Sequence, residues 1–204
     1  MPLRLLLISH AATSATRLAA FPKDEAIEAS WEKRTAALAS SLPRADQIYR
    51  APERRTLETA TALGLEAQSL DALRDLDHGR WAGDGFDAVL GREPEALGAW
   101  TSNPAAAPHG GESIEALIER LAPWLAERQR LGGRVIAVTH PAVIRAALVI
   151  VLGAPATSFW RIDIAPLTRV ELRGDGRRWL LRAIAPWTER HPPTDPEVCE
   201  TGGT

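Results

Sequence analysis

The sequence predicts an α/β protein, a three-layer sandwich with a mostly parallel central sheet flanked by helices. Two short runs, Leu3–Ile8, apolar but for Arg4, and Val135–Val138 have the pattern of strands buried on both faces. Helical and strand-like segments alternate along the chain, as in layered α/β folds. Each apolar run stops on a histidine, His10 after Ser9 and His140 after Thr139, and each histidine leads into a helical segment. Open α/β sheets bind ligands beyond the carboxyl ends of their strands. Two imidazoles delivered there from opposite ends of the chain point to one shared pocket.

The elements follow in order. After the first strand, residues 24–42 carry Ile27, Trp31 and Leu38 at helical spacing and end near Pro43. Gln47–Tyr49 reads as a short strand. Glu53–Leu63 reads as a helix, with Pro52 where a first-turn proline stands and Gly64 after the end. Residues 70–81 are rich in turns, and 83–103 read as a helical insertion with a loop. Ser113–Leu131 is a helix with Ile114, Leu117, Ile118, Leu121 and Leu125 on one stripe, Pro123 predicting a kink, and Gly132-Gly133 ending it. Pro141–Leu152 is a helix closed by Gly153. Residues 167–172 and 178–184 read as a hairpin around Gly174-Asp175-Gly176. From Pro186 the composition turns to proline, threonine and glycine. The reading is one domain over 1–185 and a disordered tail over 186–204.

Composition narrows the function. The net charge is −2, which gives no basic excess for nucleic acid or an anionic membrane. Of the basic residues only Lys23 and Lys33 are lysines. Guanidinium groups bind phosphate and carboxylate bidentately, although most of these arginines are expected to be ordinary surface residues. Cys199 is the only cysteine, so no intrachain disulfide forms, in keeping with a reducing compartment. The first leucines are interrupted by Ser9 and His10 before reaching signal-peptide length, and Ala146–Leu152 is too short to span a bilayer. The expected location is the cytoplasm.

Five segments carry chemistry: Ile8-Ser9-His10-Ala11-Ala12-Thr13; Ala51-Pro52-Glu53-Arg54-Arg55-Thr56-Leu57-Glu58-Thr59-Ala60; 73–83 with Asp75, His78, Gly79 and Trp81; Gly111-Glu112-Ser113; and Val138-Thr139-His140. In this order they resemble the histidine phosphatase superfamily, the phosphoglycerate mutase-like proteins, from end to end. In that family a strand ends in Arg-His-Gly, a Ser-Pro-x-x-Arg-Ala-x-x-Thr-Ala helix follows, then an acidic segment before Gly-x-Trp-x-Gly, then Gly-Glu-Ser, then a second strand-end histidine. The resemblance implies phosphoryl transfer through a phosphohistidine on a small-molecule phosphate ester, with neither metal nor cofactor. His10 matches the nucleophile. Arg55 matches the phosphoryl clamp, whose fork fits phosphoryl oxygens. His140 matches the second phosphate-binding imidazole, at the positive end of a helix. Asp75 falls where the family has its general acid, usually a glutamate. Ser9, Thr13, Arg17, Glu112 and Thr139 are the accompanying phosphate- or substrate-binding positions.

The chain departs from the pattern in places. The arginine before the nucleophile is Ser9, the following glycine is Ala11, an early serine of the second motif is Arg50, and the acid is one methylene short. A lost oxyanion donor typically costs ~10²–10³ in rate. Arg17 or Arg50 swinging in would replace the missing guanidinium.

Each residue also has a plainer reading. Either histidine alone is more often a satisfied strand-end residue, and only the pair reverses that. Arg54 competes with Arg55, but the register with Thr59-Ala60 selects Arg55. Asp77 competes with Asp75, but the spacing to Gly79 and Trp81 selects Asp75. Ser113 reads as a helix N-cap, which gives Glu112 a structural reading beside the substrate contact. His78 and His109 read as loop histidines, and the tryptophans read as packing, with a homodimer patch left open. Three functions compete: a metal-independent phosphomonoester phosphatase; a phosphate-ester-binding or regulatory member that has lost turnover; and a metallohydrolase, for which no local metal-ligand spacing exists. The first is the reading adopted. Segments 14–30 and 84–110 are the expected lid.

Overall fold

The computed structural model describes residues 2–186. The chain runs β1 (Leu3–Ser9), α1 (Ser14–Arg17), α2 (Ala29–Leu38), β2 (Gln47–Arg50), α3 (Arg54–Ala62), β3 (Gln68–Ser69), α4 (Phe86–Arg92), α5 (Pro94–Ser102), α6 (Ile114–Leu131), β4 (Gly133–Thr139), α7 (Pro141–Leu152), β5 (Arg169–Gly174) and β6 (Trp179–Ala185). The strands form one sheet in the order β3-β2-β4-β1-β5-β6. The first four of that order run parallel, and the final hairpin β5–β6 adds antiparallel strands at one side.

Alternate residues of a strand face opposite sides of the sheet. On one side Leu3, Leu5, Leu7, Val135, Ala137, Val170 and Leu172 join Leu117 and Leu121 of α6 and Val143, Ile144 and Ala147 of α7 in the main core. On the other side Ile8, Ile136 and Val138 pack against Ala60 and Leu63, with Leu38 of α2 beside them. Burial on both faces is why Leu5–Ile8 of β1 and Val135–Val138 of β4 read as apolar runs. The fold is a six-stranded mixed, mostly parallel sheet with helices around it, as expected.

β1 and β4 are direct neighbours, in register from Leu3 opposite Gly133 to Ser9 opposite Thr139. Both strands therefore end at the same level, and the residues that follow them, His10 and His140, emerge side by side.

Three local expectations are corrected. The helix expected from residue 24 begins at Ala29. The stretch before it is held extended from α3: Glu58 accepts the Ile27 N–H at 2.8 Å and Asp24 accepts the Arg54 N–H at 2.6 Å. Pro52 does not open α3, whose N-cap is Glu53. The two-residue strand β3 has no apolar signature and was not expected. Helix α6 passes Pro123 without a break and is capped by Ser113, whose hydroxyl accepts the Ala116 N–H at 3.1 Å. The expected disordered tail beyond Pro186 lies outside the described residues, as do His191 and Cys199. No described helix is long and apolar enough to cross a membrane.

Candidate active site

The site is built where β1 and β4 end. The His10 N–H donates to the Thr139 carbonyl at 2.9 Å, tying the two strand ends together. The His10 ring is buried, with Nδ1 at 2.7 Å from its neighbour's carbonyl, Ala11 O. A carbonyl only accepts, so Nδ1 carries the proton and Nε2 keeps its lone pair. Burial, followed by the neighbouring His140 imidazole and Arg55 guanidinium, pushes His10 down to about 3. The imidazole is therefore neutral across the physiological range. The His140 ring stands edge-on to it, with centroids 5.2 Å apart.

His140 is the N-cap of α7 and is fully buried. Both of its nitrogens are engaged. Arg55 Nε donates to Nδ1 at 3.2 Å, and Nε2 lies 2.8 Å from Glu53 Oε2. Arginine cannot accept, so in this arrangement Nδ1 is the acceptor and Nε2–H donates to the carboxylate. Arg55 is 2 % exposed, whereas Arg54 pairs with Glu58 at the surface. Beyond His140, Arg55 reaches Asp75 Oδ2 at 2.6 Å and the Lys23 carbonyl.

Asp75 faces this cluster, with Oδ2 also 3.3 Å from His140 Nδ1. Burial pushes its carboxyl up, but the neighbouring His140 imidazole and Arg55 guanidinium, then His78 and His10, hold it well below the usual carboxylate range. Asp77 instead accepts the Gly79 N–H at 2.8 Å and builds the turn. That turn lies against the 109–112 loop with no room for side chains. A Cβ at Gly79 would stand 2.3 Å from the His109 carbonyl oxygen, and one at Gly111 2.2 Å from that of Asp77.

The structure brings His10, Arg55, Asp75 and His140 into one cluster and assigns several other expected contacts elsewhere. Glu112 does not face the cavity. Its two oxygens take Arg120 Nε and Nη2, each at 2.8 Å, and Arg120 donates to the carbonyls of Ala72, Arg74 and Asp75. Thr139 Oγ1 donates to the Leu73 carbonyl at 2.8 Å. Both residues therefore hold the 72–75 segment that carries Asp75. Thr13 caps α1 and donates to Glu25 at 2.9 Å, while still lining the cavity beside His10. Ser9 is fully buried, and its hydroxyl has no hydrogen-bond partner.

Neither arginine considered as a replacement points into the cluster. Arg17 pairs with Glu28 at 2.8 Å at the surface, and Arg50 donates to the carbonyls of Ala51 and Pro52. Arg17 is thus held by a carboxylate of the 14–30 segment, and Arg50 by carbonyls next to its own backbone.

Glu53 is the functional residue that sequence reasoning missed. It accepts the Asp75 N–H at 2.9 Å through Oε1 while Oε2 holds His140, so it joins two site residues. The signal was its N-cap position, where Ser, Thr, Asp or Asn is preferred and where its side chain caps nothing. Thr59 is a second case. Its hydroxyl accepts the Ala11 N–H at 3.0 Å and donates to the Arg55 carbonyl at 2.7 Å, coupling α3 to the histidine loop. Leu167, buried and left-handed at φ 57°, donates its N–H to the His10 carbonyl. A non-glycine residue in that region is held there only by its surroundings.

Two cavities flank the cluster. One of about 190 Å³ contains His10, and one of about 290 Å³ contains Arg55 and Glu53; they share Pro22, Asp75, Leu76 and His78. A larger cavity of about 340 Å³ lies between Arg44 and the β5–β6 side of the sheet and holds none of these residues. His78 and His109 are not free loop residues, because they pack with Phe21, Trp81 and Trp100 beneath the site. Trp81, Trp100 and Trp124 are buried, as packing predicts.

Comparison with known proteins agrees with this architecture. Phosphoserine phosphatase 1 of Hydrogenobacter thermophilus is 29% identical over 168 residues, 77% of this chain and 80% of that protein. A bifunctional protein of Mycobacterium tuberculosis is 29% identical over 192 residues, which is 86% of this chain but only 52% of that longer protein. A mycobacterial glucosyl-3-phosphoglycerate phosphatase superposes with a TM-score of 0.80 at 23% identity, covering 92% of this chain and 100% of the other. A phosphoserine phosphatase structure from Entamoeba histolytica gives 0.80 at 18% identity, over 89% and 96% of the two chains. At such identities the structural likenesses establish the fold. The family model for the histidine phosphatase superfamily, branch 1, matches residues 5–185. With its strand-end histidines, buried arginine and acidic segment in family order on the family fold, the chain belongs to the histidine phosphatase superfamily.

Proposed function

We propose that this protein is a phosphomonoester phosphatase that works through a phosphohistidine on His10, without a metal, on a small-molecule ester in the cytoplasm. The observation that carries the proposal is the state of His10: neutral, with its proton on Nδ1 facing Ala11 O, its ring edge-on to His140, and its cavity lined also by Asp75. The names of its relatives as phosphatases support the same reading.

In the first step His10 Nε2 attacks phosphorus in line, the N–P bond forms, and the bond to the ester oxygen breaks. Asp75 hands that oxygen a proton. In the second step Asp75 takes a proton from water, the water oxygen attacks phosphorus, and the N–P bond breaks to release phosphate. Arg55 and the His140 end of α7 balance charge on the phosphoryl oxygens. Asp75 is ionised against Arg55. An arriving phosphoryl group draws the guanidinium to its own oxygens and sets negative charge beside Asp75. Both changes raise the affinity of the carboxylate for the proton it must donate.

Ser9 favours a second reading, a member that binds phosphate esters with weakened turnover. The cluster contains one arginine, and the Ser9 hydroxyl contacts no polar partner. The test is hydrolysis of an aryl phosphate in chelator from pH 5 to 8, for wild type and His10→Ala. Turnover lost in the variant supports the phosphatase. Phosphate binding without wild-type turnover supports the second reading, and activity that chelator abolishes contradicts metal independence.

A further inference from the structure

The polar groups that this chemistry leaves unused gather on one wall of the His10 cavity. Pro141, Ala142 and Arg145 line it from α7, together with Trp100, Phe159 and Trp160. Residues four apart share a helix face, so Arg145 stands one turn beyond Pro141 on the same face. The side chain is largely buried, 25 % exposed, and its Nε has no hydrogen-bond partner. Its nearest carboxylate, Asp163, is 3.7 Å away and 96 % exposed, a weak pairing across solvent. The guanidinium lies 5.7 Å from the Phe159 ring centroid. Beside it the indole N–H groups of Trp100 and Trp160 and Nδ1 of His78 are also buried without partners. Burial moreover pushes Arg145 below its usual value, the mark of a charge desolvated without full compensation.

A buried guanidinium without a full partner is costly, and so are buried indole donors. Such groups are retained where an acceptor arrives from outside. The wall supplies flat apolar surface from three aromatic rings and one planar cationic fork. The cavity is small, about 190 Å³. One guanidinium with aromatic neighbours fits a carboxylate, which pairs with it bidentately. A second phosphate, with twice the charge, would call for more than one cation.

We infer that Arg145 determines specificity by receiving a carboxylate on the organic group of the phosphate ester, whose apolar or ring-bearing part packs between Trp160 and Pro141. The preferred substrates are then compact, carboxylate-bearing phosphomonoesters. The phosphoryl end of this assignment rests on the proposed function, while the Arg145 end rests on the cavity.

Non-hydrolysable probes separate the two. Benzylphosphonate and the meta and para isomers of (phosphonomethyl)benzoate are titrated calorimetrically into wild type, Arg145→Met and Arg145→Lys, each first shown folded by its thermal melt. Wild type is expected to bind at least one carboxylated isomer about tenfold to a hundredfold tighter than benzylphosphonate, the range of a charge-assisted hydrogen bond. Arg145→Met is expected to bring that ratio close to one, with Arg145→Lys between. Equal affinities in wild type, a preference that survives Arg145→Met, or no binding of any probe overturns the inference. Aryl phosphate hydrolysis is measured separately. A binding preference that depends on Arg145 in a protein without turnover leaves the inference standing and removes the phosphatase reading.

Discussion

His10 and His140 occupy equivalent places, each following the last residue of a parallel strand, yet their surroundings differ at every nitrogen. His10 makes one ring hydrogen bond, to a backbone carbonyl, and leaves Nε2 unoccupied. His140 is held on both nitrogens, by Arg55 and Glu53. The first arrangement suits a group that must form and break a bond to phosphorus, and the second suits one that must not move. Topology supplied two similar imidazoles, and the residues packed behind them separate the roles.

The comparison breaks most sharply at the histidines themselves. His10→Ala is expected to lower kcat/KM by about 10⁴-fold or more, because it removes the nucleophile. His140→Ala is expected to cost about 10²-fold, the effect of misplacing the Arg55 clamp that it holds. Comparable losses in steady-state kinetics with an aryl phosphate would contradict the division of roles.

Loosening His140 without removing it sharpens the contrast. Glu53→Gln weakens its Nε2 contact and the hold on the Asp75 N–H together. The expected loss in kcat is about 10- to 100-fold, the effect of small misplacement in a catalytic array, with phosphate affinity changed much less. The two should separate in a kcat-against-product-inhibition measurement.

A titration distinguishes the folded from the unfolded His10. Its value falls from 6.5 to about 3 in the fold. Between those two pH values the unfolded chain binds a proton that the folded chain does not, so stability falls as pH falls through that window. Asp75 has the opposite chemistry with the same sign of slope. Its depressed value contributes stability above the ordinary 3.8, and that contribution is lost as pH falls below it. Denaturant melts from pH 7 to 4 should therefore show a slope that His10→Ala reduces. Nitrogen-detected NMR should find the wild-type His10 ring neutral, with the proton on Nδ1, down to about pH 4. The smallest effect is expected at Arg17. Its pair with Glu28 is exposed, and Arg17→Ala should change stability by less than about 0.5 kcal/mol and vanadate affinity by about twofold at most.

Much of this arrangement was legible in the sequence, for physical reasons. The C-terminal halves of β1 and β4 are buried on both faces, which leaves apolar runs, Leu5–Ile8 and Val135–Val138, whose ends point to His10 and His140. Arg55 was separable from Arg54 because the helix register with Thr59-Ala60 selects the inward face. Asp75 was separable from Asp77 by its spacing to the Gly79 turn. What stayed hidden depends on contacts between distant segments. Glu53 reaches a histidine 87 residues away, and nothing near it in sequence announces that partner. Glu112 reads equally well as a substrate contact until its salt bridge to Arg120 is seen. The extended stretch before α2 carries helical spacing, and only carboxylates from or beside α3 override it. The wall of Arg145, Trp100 and Trp160 draws on three separate segments and has no motif.

The measurement that tests the account most directly is a search for the phosphoryl group on the protein. Wild type, His10→Ala and His140→Ala are mixed with an aryl phosphate in chelator, quenched under alkaline denaturing conditions that preserve phosphohistidine, and mapped by peptide mass spectrometry. The account predicts one phosphoryl group on the peptide bearing His10, absent from His10→Ala and still detectable in His140→Ala. Turnover with no phosphorylated peptide, or with the group on His140, would contradict it.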